Sequence, residues 1–212
     1  MSLASNHIFT RLNIPISKAS TEGDGIQIAV LDGGIADIPA FEGRLERKLP
    51  DGEQDLSAPS QHATRCASLM ASADPHAPGI APKARLLSMN VSTGAAVDTN
   101  KLQRALEWLY RHPVDVISAS FVMESPDSAV LTCTKALIDQ GTCIVGAAAN
   151  TTKRQQYAWV RQIPGAVRVF ADKLPETALA QSAAHVIAAP GTSLRVVGAD
   201  GEVIPNWRGQ SS

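Results

Sequence analysis

The chain has 212 residues, 44% of them hydrophobic and 18% charged, with a formal net charge of -1. Those values are ordinary for a soluble globular protein able to bury a substantial core. The near-zero charge leaves no basic footprint for nucleic acid, and no apolar run has the length of a membrane span, so neither is expected as a partner. Taken in chain order, residues 1–21 read as a polar lead-in with an apolar patch at Leu12, Ile14 and Ile16, without the basic-then-apolar layout of a signal peptide. Residues 22–212 read as one domain. Its first strand lies in Gly25 to Ile35, a continuous apolar run closed by Asp32, Gly33 and Gly34. A carboxylate at such a strand end is either a turn residue satisfying nearby amides or a member of a site. Residues 35–60 carry three prolines and two glycines without sustained periodicity and read as a long surface loop.

From Gln61 the residues His62, Cys66, Leu69, Met70 and Ala73 recur at helical spacing, which places His62 in the first turn of a helix ending near Asp74-Pro75. A turn at Gly79 to Pro82 leads to a second strand, Ala84 to Val91. Asp98 or Thr99 caps a helix with Leu102, Ala105, Leu106 and Leu109 on one face, stopped by His112-Pro113. A third strand spans Val114 to Ser120. Ser125-Pro126 supplies a cap and first-turn proline for a helix that ends at Gln140-Gly141, and a fourth strand runs from Thr142 to Ala149. Shorter strands follow at Val167 to Ala171 and Val186 to Ala188, then a hairpin from Leu194 to Trp207 that turns at Asp200-Gly201. The alternation predicts an α/β fold, a mainly parallel sheet with helices on both faces. Cys66, Cys133 and Cys143 lie in apolar segments without metal-ligand spacing and read as buried thiols, so no metal site is expected. Their use leans slightly towards a reducing, cytoplasmic compartment.

The predicted strand and helix ends collect Asp32, His62, Ser120 and Asn150, and the chain closes on Arg208-Gly209-Gln210-Ser211-Ser212. A serine hydroxyl needs an imidazole to take its proton, a carboxylate to fix the imidazole's tautomer, and an amide donor for the oxyanion it creates. The blocks resemble those of the subtilisin-like serine proteases. Gly25 to Ile35 is similar to the aspartate motif, His62 to Ala67 to the histidine motif, and Gly79 to Ala84 to the turn after its helix. Val116 to Ser120 resembles the substrate-binding strand, Ala147 to Asn150 the oxyanion segment, Ala188 to Gly191 the turn upstream of the nucleophile, and Gly209 to Ser211 the nucleophile motif. All occur in the family's order, from about Leu12 to the last residue.

The resemblance implies a subtilisin-like three-layer fold and a serine endopeptidase working through an acyl-enzyme. Asp32 would orient, His62 would act as base and then acid, and Ser211 would attack, with Ser212 as the competing register. Asn150 would serve the oxyanion hole. Ser120, Phe121, Val122, Ala147 and Ala149 would line the substrate site. Val122 and Ala149 stand where the family has glycines, which predicts a narrowed primary pocket. Ala63 and Arg65 replace a glycine and a second histidine of the family's motif at positions outside proton transfer. No redox or nucleotide cofactor is implied; calcium is common in the family, but no stretch lets a site be assigned. The partner implied is a peptide or protein substrate. The family's long helix after the nucleophile is lacking, so the fold is expected to be C-terminally incomplete, a fragment or one part completed by a further segment or second chain. The alternative is a non-catalytic module that binds peptides or partners in the same cleft. A nucleotide-binding domain using Asp32-Gly33-Gly34 is disfavoured, since no glycine-rich phosphate loop follows a strand into a helix.

Overall fold

Seven parallel strands form the central sheet in a computed structural model that describes residues 22–94, 96–123, 126–148, 159–172 and 183–209. In chain order they are β1 (Gln27–Asp32), β2 (Leu45–Lys48), β3 (Arg85–Asn90), β4 (Val116–Ala119), β5 (Cys143–Ala147), β6 (Val167–Ala171) and β7 (His185–Ala189). Their order across the sheet is β2-β3-β1-β4-β5-β6-β7. The chain therefore runs from β1 out to β2 at one edge, comes back to β3 between them, then crosses β1 and builds through β4 to β7 on the other side. Such a reversal leaves a crevice at the carboxyl ends of the strands that flank it. Asp32 ends β1 beside that crevice, paired in register with Asn90 of β3, and its neighbour Leu31 pairs with Ala119 of β4.

Strand alternation divides the core in two. Ile28 and Val30 point to the face covered by α1 (Gln61–Ala71), where they pack with Ala63, Ala67, Ala71 and Leu86. Ala29 and Leu31 point to the opposite face, covered by α2 (Thr99–Arg111) and α3 (Ser128–Asp139), with Leu102, Leu106, Leu109, Val130 and Leu137 behind them. Helix, sheet and helix make the three layers predicted for an α/β fold of this kind. A two-stranded antiparallel hairpin, β8 (Leu194–Val197) and β9 (Val203–Trp207), lies against α1.

Three local readings are corrected. The stretch 35–60 is not all loop: it holds a single 3-10 turn at Pro39–Phe41 and the edge strand β2. Leu45-Glu46-Arg47-Lys48 carries three charges and no apolar alternation, the composition that blunts a sheet edge and hides it from pattern reading. The cap of α3 is Asp127, whose carboxylate accepts from Ala129 N–H, so Pro126 lies before the cap instead of inside the first turn. A carboxylate is the stronger acceptor at the positive end of a helix. Of the cysteines only Cys66 is buried; Cys133 is half-buried and Cys143 is exposed at the start of β5. Asp98 caps α2 through Lys101 N–H, and Gly141 (φ 100°) ends α3. The lead-in 1–21 lies outside the described residues. Among the described residues, no helix is long and apolar enough to cross a membrane.

Candidate active site

The aspartate is fixed by the turn that follows it. Asp32 Oδ1 accepts from the Gly33 N–H at 2.7 Å, and Gly34 turns the chain at φ 86°, a conformation open to glycine at little cost. Ile35 N–H then donates to the buried Ser88 Oγ and Ala36 N–H to the buried Thr64 Oγ1, tying the turn to β3 and to α1. Gly33 has a second duty. A Cβ placed there would sit 2.8 Å from the Cβ of Ser60, so the absence of a side chain lets the start of α1 close onto the end of β1.

Ser60 is the N-cap of α1. Its Oγ accepts from Ala63 N–H at 3.3 Å, its carbonyl accepts from the Thr64 hydroxyl, and its own N–H donates to Gly34 O. Two residues later His62 leaves the helix towards Asp32. Its Nδ1 lies 2.8 Å from Asp32 Oδ2, with the two side chains 23% and 12% exposed. An ionised carboxylate can only accept, so Nδ1 carries the proton and donates. The far nitrogen, Nε2, faces Cys66 Sγ at 3.7 Å, one helical turn along the same face. The hydrogen bond to Asp32, and after it that to Cys66, raise the His62 pKa from 6.5 to about 11, against a desolvation effect that pulls the other way.

His62 and Cys66 stand on the rim of a cavity of about 260 Å³ whose lining is mostly apolar. The ends of β4 and β5 contribute Ser120, Ala147 and Ala148; the C-terminal strands contribute Phe170, Leu194 and Trp207. The last described residue, Gly209, reaches the same cavity and is pinned there by its N–H donating to Gly191 O at 2.9 Å.

The sequence-predicted residues fall as follows. Asp32 and His62 are brought together, and Ser120 and Ala147 line the cavity beside them. Phe121 is 3% exposed and its ring stacks on Trp159, with centroids 5.8 Å apart, so its side chain belongs to the core. Val122 is half-buried and does not line the cavity. Ala149, Asn150, Ser211 and Ser212 lie outside the described residues. Cys66 is the neighbour that sequence reading passed over: its spacing of four from His62 marked it as core, and the same spacing sets it against Nε2. Among the described residues, Asp32, His62 and Cys66 form a group close enough to share a metal ion, their ligand atoms all within 4.8 Å of one another. Oxygen, nitrogen and sulfur together are a poor match for calcium, which takes cages of oxygen.

The model of the subtilase family matches residues 23–200, well over half of the chain. Subtilisin Savinase from Lederbergia lenta is 25% identical over 132 residues, covering 61% of this chain and 49% of its own length. The chain thus spans about half the length of that relative. Among solved structures, the prenylagaramide maturation protease PagA superposes with a TM-score of 0.73 at 22% identity, covering 91% of this chain and 73% of that one. A cold-adapted subtilisin-like serine proteinase gives 0.72 at 19% identity, covering 89% and 70%. These two share the fold. With the family match spanning both the aspartate turn and the histidine helix, the chain belongs to the subtilase family.

Proposed function

We propose that the protein is a serine endopeptidase that hydrolyses peptide bonds through an acyl-enzyme. The observation that carries this reading is the Asp32 Oδ2 to His62 Nδ1 contact of 2.8 Å on the rim of a cavity that Gly209 also lines. Two residues of chain span at most about 7 Å, so a nucleophile at Ser211 is within reach of that rim. By the same measure Asn150, two residues beyond the cavity-lining Ala148, can bring its amide to it.

In this reading His62 Nε2 takes the Ser211 hydroxyl proton as Oγ attacks the substrate carbonyl. Asp32 holds the tautomer and stabilises the imidazolium that forms. The Asn150 amide and the Ser211 N–H receive the oxyanion. His62 then returns the proton to the leaving amine, and water, activated the same way, releases the acyl group.

Ala149 adds carbon where the family has glycine, which supports a preference for small residues on the acyl side of the cleaved bond. In a panel of internally cleaved peptides, hydrolysis after Ala is expected to exceed hydrolysis after Phe or Leu by at least about tenfold in kcat/KM. Faster cleavage after Phe would contradict the narrowed pocket. No cleavage by the folded protein in its full natural length would favour the second reading, a peptide-binding module without catalysis.

The close approach at Gly33 gives another test. A methyl group in Gly33→Ala must push Ser60 and the start of α1 away from β1. Overpacking of this kind costs about 1–3 kcal/mol of stability, and an ångström of displacement at His62 lowers kcat by about 100-fold. Thermal unfolding and steady-state kinetics read the two effects; native kcat in Gly33→Ala would show that the spacing of Asp32 and His62 does not depend on this contact.

A further inference from the structure

The helix that carries His62 also grips the hairpin that leads towards the end of the chain. Ser68 is buried and makes two hydrogen bonds with its one hydroxyl. Its Oγ donates to Arg65 O at 2.8 Å, within α1, and accepts from Val197 N–H of β8 at 3.0 Å. Before His62, Gln61 Oε1 accepts from Ala199 N–H at 3.1 Å. Gln61 and Ser68 are two helical turns apart, so they share one stripe of α1, and between them they bracket the histidine.

These bonds add something that packing alone does not. Val197 belongs to one apolar cluster with Ala63, Ala67 and Ala71 of α1, and such contact is non-directional, so it leaves a strand free to slide along a helix. Hydrogen bonds to two backbone amides are directional and fix the register. Val197 N–H is buried, so without the Ser68 oxygen it stands unpaired, a state the fold resists. The register passes to β9, which pairs with β8 from Val197 opposite Val203 to Leu194 opposite Trp207. Trp207 and Gly209 then line the same cavity as His62.

We propose that Ser68 and Gln61 are positioning residues that clamp the β8–β9 hairpin onto α1 and so set the distance between His62 and the chain arriving at Ser211. Neither touches the reacting atoms. Base and nucleophile stand on different elements, and a registered contact between those elements makes two independent placements into one. The clamp follows from the geometry alone; its catalytic meaning rests on the proposed peptidase activity, and the experiment separates the two.

Gln61→Met and Ser68→Ala, each in the protein of full natural length, are compared with the native protein by amide hydrogen exchange and steady-state kinetics. Gln61→Met removes the acceptor at the surface and keeps the length of the side chain, so it tests the clamp even where Ser68→Ala fails to fold. Exchange is expected to accelerate by at least about tenfold at Val197 and Ala199 and onward to Trp207 and Gly209, while the amides of α1 keep their native protection. In parallel kcat falls by about 10–100-fold with KM nearly unchanged. The ascending limb of the pH profile stays where Asp32 and His62 set it. Gln61→Glu, which retains an acceptor, keeps most of kcat on its own pH plateau. Native exchange at Trp207 and Gly209, or native kcat in a protein whose hairpin exchanges faster, would overturn the positioning role. A limb that moves in Gln61→Met would overturn it too, because the effect would then lie in the Asp32 to His62 pair. A hairpin that loosens as expected in a protein that hydrolyses no peptide would support the clamp and count against the peptidase reading instead.

Discussion

Asp32→Asn is expected to lower kcat by about 10⁴-fold while leaving KM nearly unchanged and the fold intact. The amide can offer N–H to His62 Nδ1, which turns the imidazole into the tautomer with its lone pair on the wrong nitrogen. The pH profile carries a second signature. In the proposed mechanism His62 serves as base only when unprotonated, so activity rises with pH as the proton leaves. Asp32 and Cys66 hold that proton above the ordinary value of 6.5, up to about 11 in the free protein. The ascending limb of kcat/KM is therefore displaced to the alkaline side, and Asp32→Asn brings it back towards 6.5. Steady-state kinetics over that pH range test both; a limb that stays put in Asp32→Asn would mean that the carboxylate does not control the imidazole.

If His62 is the base of the proposed triad, His62→Ala is expected to remove about 10⁶-fold of kcat, since members of a triad act as a unit. It also alters stability in a defined direction. The folded-state pKa of His62 is raised, so the Asp32 to His62 interaction stabilises the fold fully below pH 6.5, where the unfolded chain is protonated too. As pH climbs, the unfolded chain gives up this proton first. The advantage declines and is lost as pH passes about 11. Denaturant midpoints measured across this range should fall for the native protein more steeply than for His62→Ala. Parallel curves would contradict the raised pKa.

The α/β layers were legible because the core alternates strand runs such as Gln27–Asp32 with helices whose apolar residues recur at three and four. Polar elements were harder. β2 forms from four residues of which three are charged, held at the sheet edge by backbone pairing with β3 that no side-chain pattern announces. At the start of α3 the Ser-Pro pair reads as cap and first turn, but the cap is the carboxylate of Asp127, which that pattern does not point to. Cys143 read as buried because it sits in an apolar strand, but it opens that strand and is exposed there.

The candidate site divides in the same way. Asp32 and His62 lie 30 positions apart, and composition or periodicity places each on its element without saying that they meet. Resemblance to a family joined them, and the geometry supplies the physical account: Gly33 lets Ser60 approach, Ser60 caps the helix, and the helix aims His62 at Asp32. Cys66 was visible as a helical neighbour of His62, but only the side-chain directions on α1 reveal that its sulfur faces Nε2. Its place in the motif puts Phe121 at the substrate site, while its aromatic ring stacks on Trp159 in the core.

The central claim is that His62, held by Asp32, activates a serine at the end of this chain, and covalent labelling with a fluorophosphonate followed by peptide mapping tests it most directly. The account predicts one phosphonylated residue, Ser211, in the folded protein of full natural length, with labelling lost in His62→Ala and slowed in Asp32→Asn. Label on another serine, or labelling that survives unchanged in His62→Ala, would contradict it.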